Sequence, residues 1–425
     1  MSDAEGEMKL NGRGRRRGCN RGGEGRIGVK RSVQALLGAA ATAALFWPGE
    51  ARATTDTWTG PSGNWSSNTG WSTSSPPTNG ATVVITDTGT LATTITFDTA
   101  AVATGLASVT IDTTNAGSLT LAQALNTLAM TGSEIVGNNG HGIYTQTGGT
   151  NTTAYLYLAD TSASSSGTYT LGGGILNAPD QSIGYHGTGL FTQTGGTNNA
   201  TNFLTIGDQT GGIGTYNMSG GSMTVGTLNV AYNGIGTLNV SNGATINASV
   251  ETTVATGGFG IINQTGGVQT TSLLQMGYYN GSTGVVNLSG GSFSPAAAVV
   301  GVSGNGIFNQ SGTTVIQIPA MLGSYELTLG LDAGSLGTYN LSNAASLTTG
   351  STYVGYSGSG VFNQTGGTHS TSYLYVGDQA GSSGTVTLSG GNLSAASQSI
   401  GYKGTGVFTQ TGGVNTARNY ITIGD

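Results

Sequence analysis

The sequence predicts an all-β protein: a single-chain parallel β-solenoid (β-helix) of about twelve coils, each 22–25 residues long, with an N-terminal cap. Three observations carry the prediction. The 425 residues include 77 glycines but only 12 lysines and arginines, 18 acids, 7 prolines and 1 cysteine, which excludes a highly charged disordered chain and a disulfide scaffold. A glycine–aromatic motif returns at near-constant spacing through two thirds of the chain. Positions within that motif keep their chemical character from copy to copy, as stacked coils require.

The motif first appears as Gly142-Ile143-Tyr144-Thr145-Gln146-Thr147-Gly148-Gly149 and recurs as Gly189-Leu190-Phe191-Thr192-Gln193-Thr194-Gly195-Gly196, and again from Gly360 and Gly406. Cousins begin at Gly167, Gly214, Gly236, Gly260, Gly284, Gly306, Gly337 and Gly384, making twelve copies; ten of the eleven spacings are 22 to 25 residues and one is 31. A second short β-prone run follows, as in Phe203-Leu204-Thr205-Ile206-Gly207-Asp208 and Tyr375-Val376-Gly377-Asp378. Turns rich in Gly, Thr, Asn and Ser separate the runs. No helical period follows the first 53 residues. One such unit cannot bury its apolar side alone. Stacked units pair their backbones at about 4.8 Å, so twelve coils would rise roughly 58 Å.

The columns support stacking. The third position is aromatic or aliphatic in every copy, from Tyr144 and Tyr169 through Leu238 and Val286 to Phe408, and is expected to point inward. The fourth is Thr or Asn only, with seven consecutive asparagines from Asn217 to Asn363. These suit an amide ladder in which each side chain bonds its neighbours above and below, and they explain the many Asn-x-Ser/Thr triplets without glycans. The fifth alternates between Gln (Gln146, Gln193, Gln264, Gln310, Gln364, Gln410) and Leu, Met or Val. Strand alternation puts it on the aromatic face, so either these amides bond turn backbone or the chain corners before them. Gln181 to Gly189 returns nearly unchanged as Gln398 to Gly406, marking a two-coil unit of about 47 residues.

The charge is segregated. Ten of the 12 cations lie in residues 1–53, and only Lys403 and Arg418 follow, against 13 acids. Nucleic acid is thereby excluded as a partner of the later segment, which lacks cations to set against phosphates. Residues 1–53 read as a signal peptide with a long basic first region. Arg13, Arg15, Arg16, Arg17, Lys30 and Arg31 precede an apolar stretch from Val33 to Trp47, and Ala51-Arg52-Ala53 fits a small-x-small cleavage site. An uncleaved signal anchor, or a true start at Met8, is the alternative. Cys19 lies in this leader, so the mature chain would hold no cysteine.

Residues 54–141 match the repeat poorly and read as a cap with irregular first coils; residues 142–425 are the repeat solenoid. Trp58-Thr59-Gly60, Gly63-Asn64-Trp65-Ser66 and Trp71, then Pro76-Pro77 and Val83-Val84-Ile85, resemble the start of bacterial autotransporter-type β-strand-repeat proteins. The Gly-x-Phe-x-Gln-Thr-Gly-Gly and Val-Gly-Asp repeats are similar to those of the same broad group, which includes exported proteins with a PEP-CTERM sorting signal. The resemblance covers roughly residues 54 to 425 and implies an exported, surface-exposed or secreted passenger-like rod. The sequence departs from that group in having neither a C-terminal barrel pattern nor a sorting tail. It stops at Asp425 midway through the twelfth coil, so a fragment is expected.

Candidate chemistry is sparse, and no catalytic, cofactor or metal residue is assigned. Asp160, Asp208, Asp378 and Asp425 share one position on alternate coils, which turn-forming Asp explains. His141, His186 and His369 are scattered, and His186 and Lys403 occupy equivalent positions expected to be solvated turns. The calcium-binding nonapeptide of β-rolls and a Gly-x-Ser-x-Gly elbow are missing from the sequence. Extra residues around Val315 to Leu322 in the 31-residue unit read as an inserted loop. The expected function is that of a non-enzymatic, exported structural or adhesion-type surface protein, a rigid multivalent rod at the cell surface or outer membrane. No cofactor is expected. Its expected partners are glycans or other cell-surface components, with self-association through an open C-terminal coil. The alternative is a β-helical carbohydrate-active enzyme, a polysaccharide lyase or hydrolase.

Overall fold

The structure is a computed structural model and describes residues 54–424 apart from 88, 116 and 320–325. The leader, with Cys19 and the cleavage site, and Asp425 lie outside the described residues. The described chain forms one wound ribbon of strands joined in a single 36-stranded sheet. Every strand pair between coils is parallel; two isolated bridges, Trp58↔Trp71 and Thr113↔His141, are antiparallel.

Each coil has three faces. In one coil they are His141–Gln146, Thr150–Thr152 and Tyr155–Leu158. On the first face the motif glycines pair column-wise, Gly142↔Gly167↔Gly189↔Gly214 and so on to Gly406. The solenoid has about fifteen turns rather than twelve. Three further rungs precede Gly142 on the first face, because Leu119–Gln123 pairs below His141–Gln146, Thr93–Phe97 below that, and Gly63–Asn64 below that. The first-face strands Thr93–Phe97 and Leu119–Gln123 fill the same inward positions without the glycine motif: Leu121 stands beneath Tyr144, and Ile95 beneath Leu121.

One corner of each coil fixes the winding. Where the third face turns back to the first, one residue per coil adopts positive φ: Gly137, Ala159, Gly184, Gly207, Ala231, Ala255 and their successors to Gly424, between 60° and 78°. The motif's first glycine packs against that corner. A Cβ on Gly189 would lie 2.1 Å from the Gly184 nitrogen, and one on Gly214 2.4 Å from that of Gly207. No side chain fits there, which is why glycine opens all twelve copies.

Inside, the aromatic column forms true stacks. Tyr144, Tyr169, Phe191 and Tyr216 follow one another at ring separations of 4.7, 4.9 and 4.5 Å and within 10° of parallel. Each such burial contributes roughly 1.5–3 kcal/mol. The asparagine ladder is present: six amide bonds of 2.7–2.9 Å link Asn217 to Asn363.

The glutamine column resolves in favour of turn backbone. Gln193 Nε2 donates to Gly196 O at 3.3 Å and to Ser222 O of the next coil at 3.0 Å; Gln146, Gln264 and Gln364 bond their own turn and the next coil in the same way. Where the coil above carries a tyrosine, the remaining Oε1 accepts its hydroxyl. Tyr144 donates to Gln123, Tyr169 to Gln146, Tyr216 to Gln193 and Tyr339 to Gln310, at 2.6–2.7 Å. Phe191, Phe308, Phe362 and Phe408 instead follow Leu171, Leu288, Leu341 and Leu388. Wherever the third position is a tyrosine above a glutamine the two bond, whereas every phenylalanine of this column from Phe191 on stands above a leucine.

Polar rungs also cross the core between the third face of one coil and the second face of the next. Gln181 and Asn198 bond reciprocally at 2.6 and 3.1 Å, and Asn198 donates to Tyr216 Oη at 3.0 Å. Gln398 and Asn415 repeat the pair, and Thr352 with His369 takes the same place at 3.1 Å.

At the N-terminal end Trp58, Trp65 and Trp71 cover the first coil edge. Their rings meet edge to face at 4.9–5.0 Å, and Trp65 extends the cluster to Phe97 at 5.3 Å. In the last described coil Val414, Ile421 and Ile423 are exposed. The 31-residue unit differs from the expected loop in one respect. Val315–Ile318 is an in-register strand with Ile316 and Ile318 in the core, and the extra length falls after it. Met321 and Leu322 lie outside the described residues.

Candidate functional site

The site is built from outward residues of the third face and the positive-φ corner beside it. Strand alternation sends Leu156 and Leu158 into the core and leaves Tyr155 and Tyr157 on the outside. Their rings stack at 6.3 Å. One coil above, Tyr185 follows the corner Gly184, and its ring meets Tyr157 edge-on at 5.3 Å. His186 packs against Tyr185 at 4.4 Å and donates from Nδ1 to the Asp160 carbonyl at 2.5 Å. Two coils above Asp160, Asp208 accepts from Ser182 Oγ at 2.9 Å and from Gln209 Nε2 at 3.1 Å. The structure therefore gathers Asp160, Asp208 and His186 around Tyr157 and Tyr185, which residue spacing alone did not show.

Electrostatics agree with this proximity. Burial raises both carboxyls, Asp160 and Asp208, above the ordinary aspartate value, and His186 works against the rise in each. Tyr157 is pushed up to about 12, first by burial and then by Tyr185, Asp160, Tyr155 and Asp208.

The same constellation recurs nine coils further along the stack, reached through the third-face pairings. Tyr373 and Tyr375 replace Tyr155 and Tyr157, with rings stacked at 6.1 Å, and Tyr353 stacks on Tyr375 at 5.1 Å. Tyr402 stands where Tyr185 does, 6.0 Å from Tyr375. Lys403, in the position of His186, lies 4.9 Å from the Tyr402 ring centre. Asp378 matches Asp160; burial raises its carboxyl, while the Gln379 hydrogen bond and Lys403 oppose the rise. At about 4.8 Å per coil, the patches lie about 43 Å apart along the stack.

The other candidates separate. His141 is exposed and bonds Ser166 Oγ at 2.6 Å, while His369 is wholly buried in a core rung. Among the described residues no three of His, Cys, Asp and Glu gather where they could hold a metal ion. A shallow groove of about 410 Å³ lies at the corner between second and third faces, lined by Asn247, Ser249, Thr270, Ser272, Ser294, Pro295, Gln317 and Pro319 among others, and no lining residue is titratable. Such a surface can exchange hydrogen bonds with a polar ligand but cannot move a proton. Among the described residues no helix is long and apolar enough to cross a membrane.

The sequence reading placed Tyr375, Tyr185 and Tyr402 in repeated segments but did not gather them into patches; the signal available was Tyr-x-Tyr before the corner in two of the coils. No family model matches the chain, and no curated protein or solved structure matches it either.

Proposed function

We propose that this chain is an exported, non-catalytic rod of the structural or adhesion type that contacts glycans through its two tyrosine patches. The recurrence of Tyr155/Tyr157/Tyr185 as Tyr373/Tyr375/Tyr402 at one register on one face supports this reading. Tyrosine offers an apolar ring for the face of a sugar and a hydroxyl for its edge, and the flanking carboxylates, amides and serine add directional bonds. Each contact is weak. Two on one rigid body convert the second encounter into an intramolecular one and raise avidity by orders of magnitude. Export and display at the cell surface follow from the basic leader and from the resemblance to autotransporter-type and PEP-CTERM repeat proteins.

Affinity electrophoresis in gels cast with neutral polysaccharides tests the reading. Retardation is expected for the wild type, a partial loss for Tyr155→Ala/Tyr157→Ala, and a loss far beyond additive when Tyr373→Ala/Tyr375→Ala is added. Equal mobility of all variants in every polysaccharide contradicts it. The raised carboxyls of Asp160 and Asp208 favour one alternative, a β-helical carbohydrate-active enzyme. Release of new chain ends by the wild type but not by Asp208→Asn would establish that reading instead.

A further inference from the structure

Glu134 lies on the third face of its coil with its side chain wholly buried. Its register partners are Val109 below and Leu156 above, both apolar. Asn151 Nδ2 donates to Glu134 Oε2 at 2.7 Å and to Tyr169 Oη at 3.0 Å. Two atoms of this rung have no hydrogen-bond partner, Glu134 Oε1 and Asn151 Oδ1.

Two coils above, the identical place is filled by Gln181 and Asn198. Leu156 pairs with both Glu134 and Gln181, and Leu176 with both Asn151 and Asn198. There the amides bond reciprocally, one bond in each direction, and Asn198 donates to Tyr216 as Asn151 does to Tyr169. Gln398 and Asn415 form the same two-bond ring. A carboxylate cannot close this ring, because it has no hydrogen for the Asn151 oxygen. A carboxylic acid can.

We propose that Glu134 folds as a neutral carboxylic acid whose Oε1–H is donated to Asn151 Oδ1, closing the ring that Gln181 and Asn198 close two coils above. The pair makes this point of the stack an acid-strengthened joint. The titratable groups acting here are Tyr144 and Tyr169 of the first face, and burial raises both hydroxyls, so neither supplies a compensating charge. Burial likewise lifts the Glu134 carboxyl from 4.5 to about 8, against the Asn151 hydrogen bond that lowers it.

The sign of the pH effect follows. Below about pH 4.5 folded and unfolded chains both hold the proton. Between 4.5 and about 8 the unfolded chain releases it while the folded one keeps it, so stability falls as pH rises through this window and then levels off. Gln at this position mimics the acid and cannot ionise. In urea unfolding, wild type and Glu134→Gln are expected to agree near pH 4. Toward pH 8 the wild-type unfolding constant should exceed the variant's by roughly three orders of magnitude. Infrared difference spectra at neutral pH should show a protonated carboxyl band in wild type that Glu134→Gln lacks. A stability gap independent of pH, or no such band, overturns the proposal. Glu134→Leu separates the ring from mere neutrality: it too should lose the pH dependence, yet fall below Glu134→Gln at every pH because Asn151 loses both bonds of the ring and keeps only Tyr169.

Discussion

The coils around Tyr216 and those around Val286 share one register but differ at the tyrosine position and in the core rung beside it. In the first, Gln193 spends both amide hydrogens on turn carbonyls, its oxygen accepts from Tyr216, and the Gln181–Asn198 rung is complete. In the second, Val286 stands where the tyrosine would be, and Gln264 Oε1, both polar atoms of Gln269 and Thr252 Oγ1 are buried without partners. Val386 above Gln364 and His369 repeats this arrangement, with Gln364 Oε1 and His369 Nδ1 unpartnered. The glutamine column is thus half of a device; tyrosine from the next coil is the other half, and a coil lacking it carries the desolvation cost of about 1–3 kcal/mol per orphaned group.

The largest expected difference is in acid sensitivity. Burial holds the His369 imidazole down from 6.5 to about 3. Between those values the unfolded chain binds a proton that the folded one refuses, so stability falls as pH falls, opposite in sign to Glu134. Lowering the pH from 7 to 4 should cost wild type about 3 kcal/mol more than His369→Gln, read from urea midpoints at both pH values. Next, Gln193→Leu leaves the Tyr216 hydroxyl hydrogen without its acceptor and removes two bonds to turn carbonyls, and should cost about 2–3 kcal/mol, whereas Gln264→Leu removes only bonds to carbonyls together with an orphaned oxygen, costing about 1 kcal/mol. Val286→Tyr should invert the contrast, gaining about 1 kcal/mol by reaching Gln264 Oε1, visible as a raised Tm. The smallest effect is a control common to both regions. Ala159, Ala231 and Ala255 hold positive φ of 61°, 66° and 64° where other coils have glycine. Glycine at any one of them should gain about 0.5 kcal/mol, the relief of left-handed strain less the added chain entropy.

Much of this architecture was legible in the sequence. The motif glycines gave the register because a corner backbone excludes any Cβ at that position, and the asparagine column gave the ladder because like bonds to like from coil to coil. The tyrosine–glutamine bond was harder to see. Its partners lie one coil apart at different motif positions, so reading down single columns hides it. The core rungs join residues 17 apart on opposite faces, such as Gln181 and Asn198, which no strand or helix period relates. Residues 82–141 looked irregular because they fill the same inward positions with Ile95 and Leu121 but lack the glycines. The tyrosine patches depend on which coils stack where, and on corner residues such as Tyr185 that the motif does not include.

A double-mutant cycle on each hydroxyl–amide site tests the central claim most directly. Gln193→Leu and Tyr216→Phe, alone and together, should show a coupling of about 1–3 kcal/mol, while Gln264→Leu with Val286→Ala should show almost none. Equal coupling at the two sites, or none at Gln193–Tyr216, would mean that the stack is held without these bonds and would contradict the account.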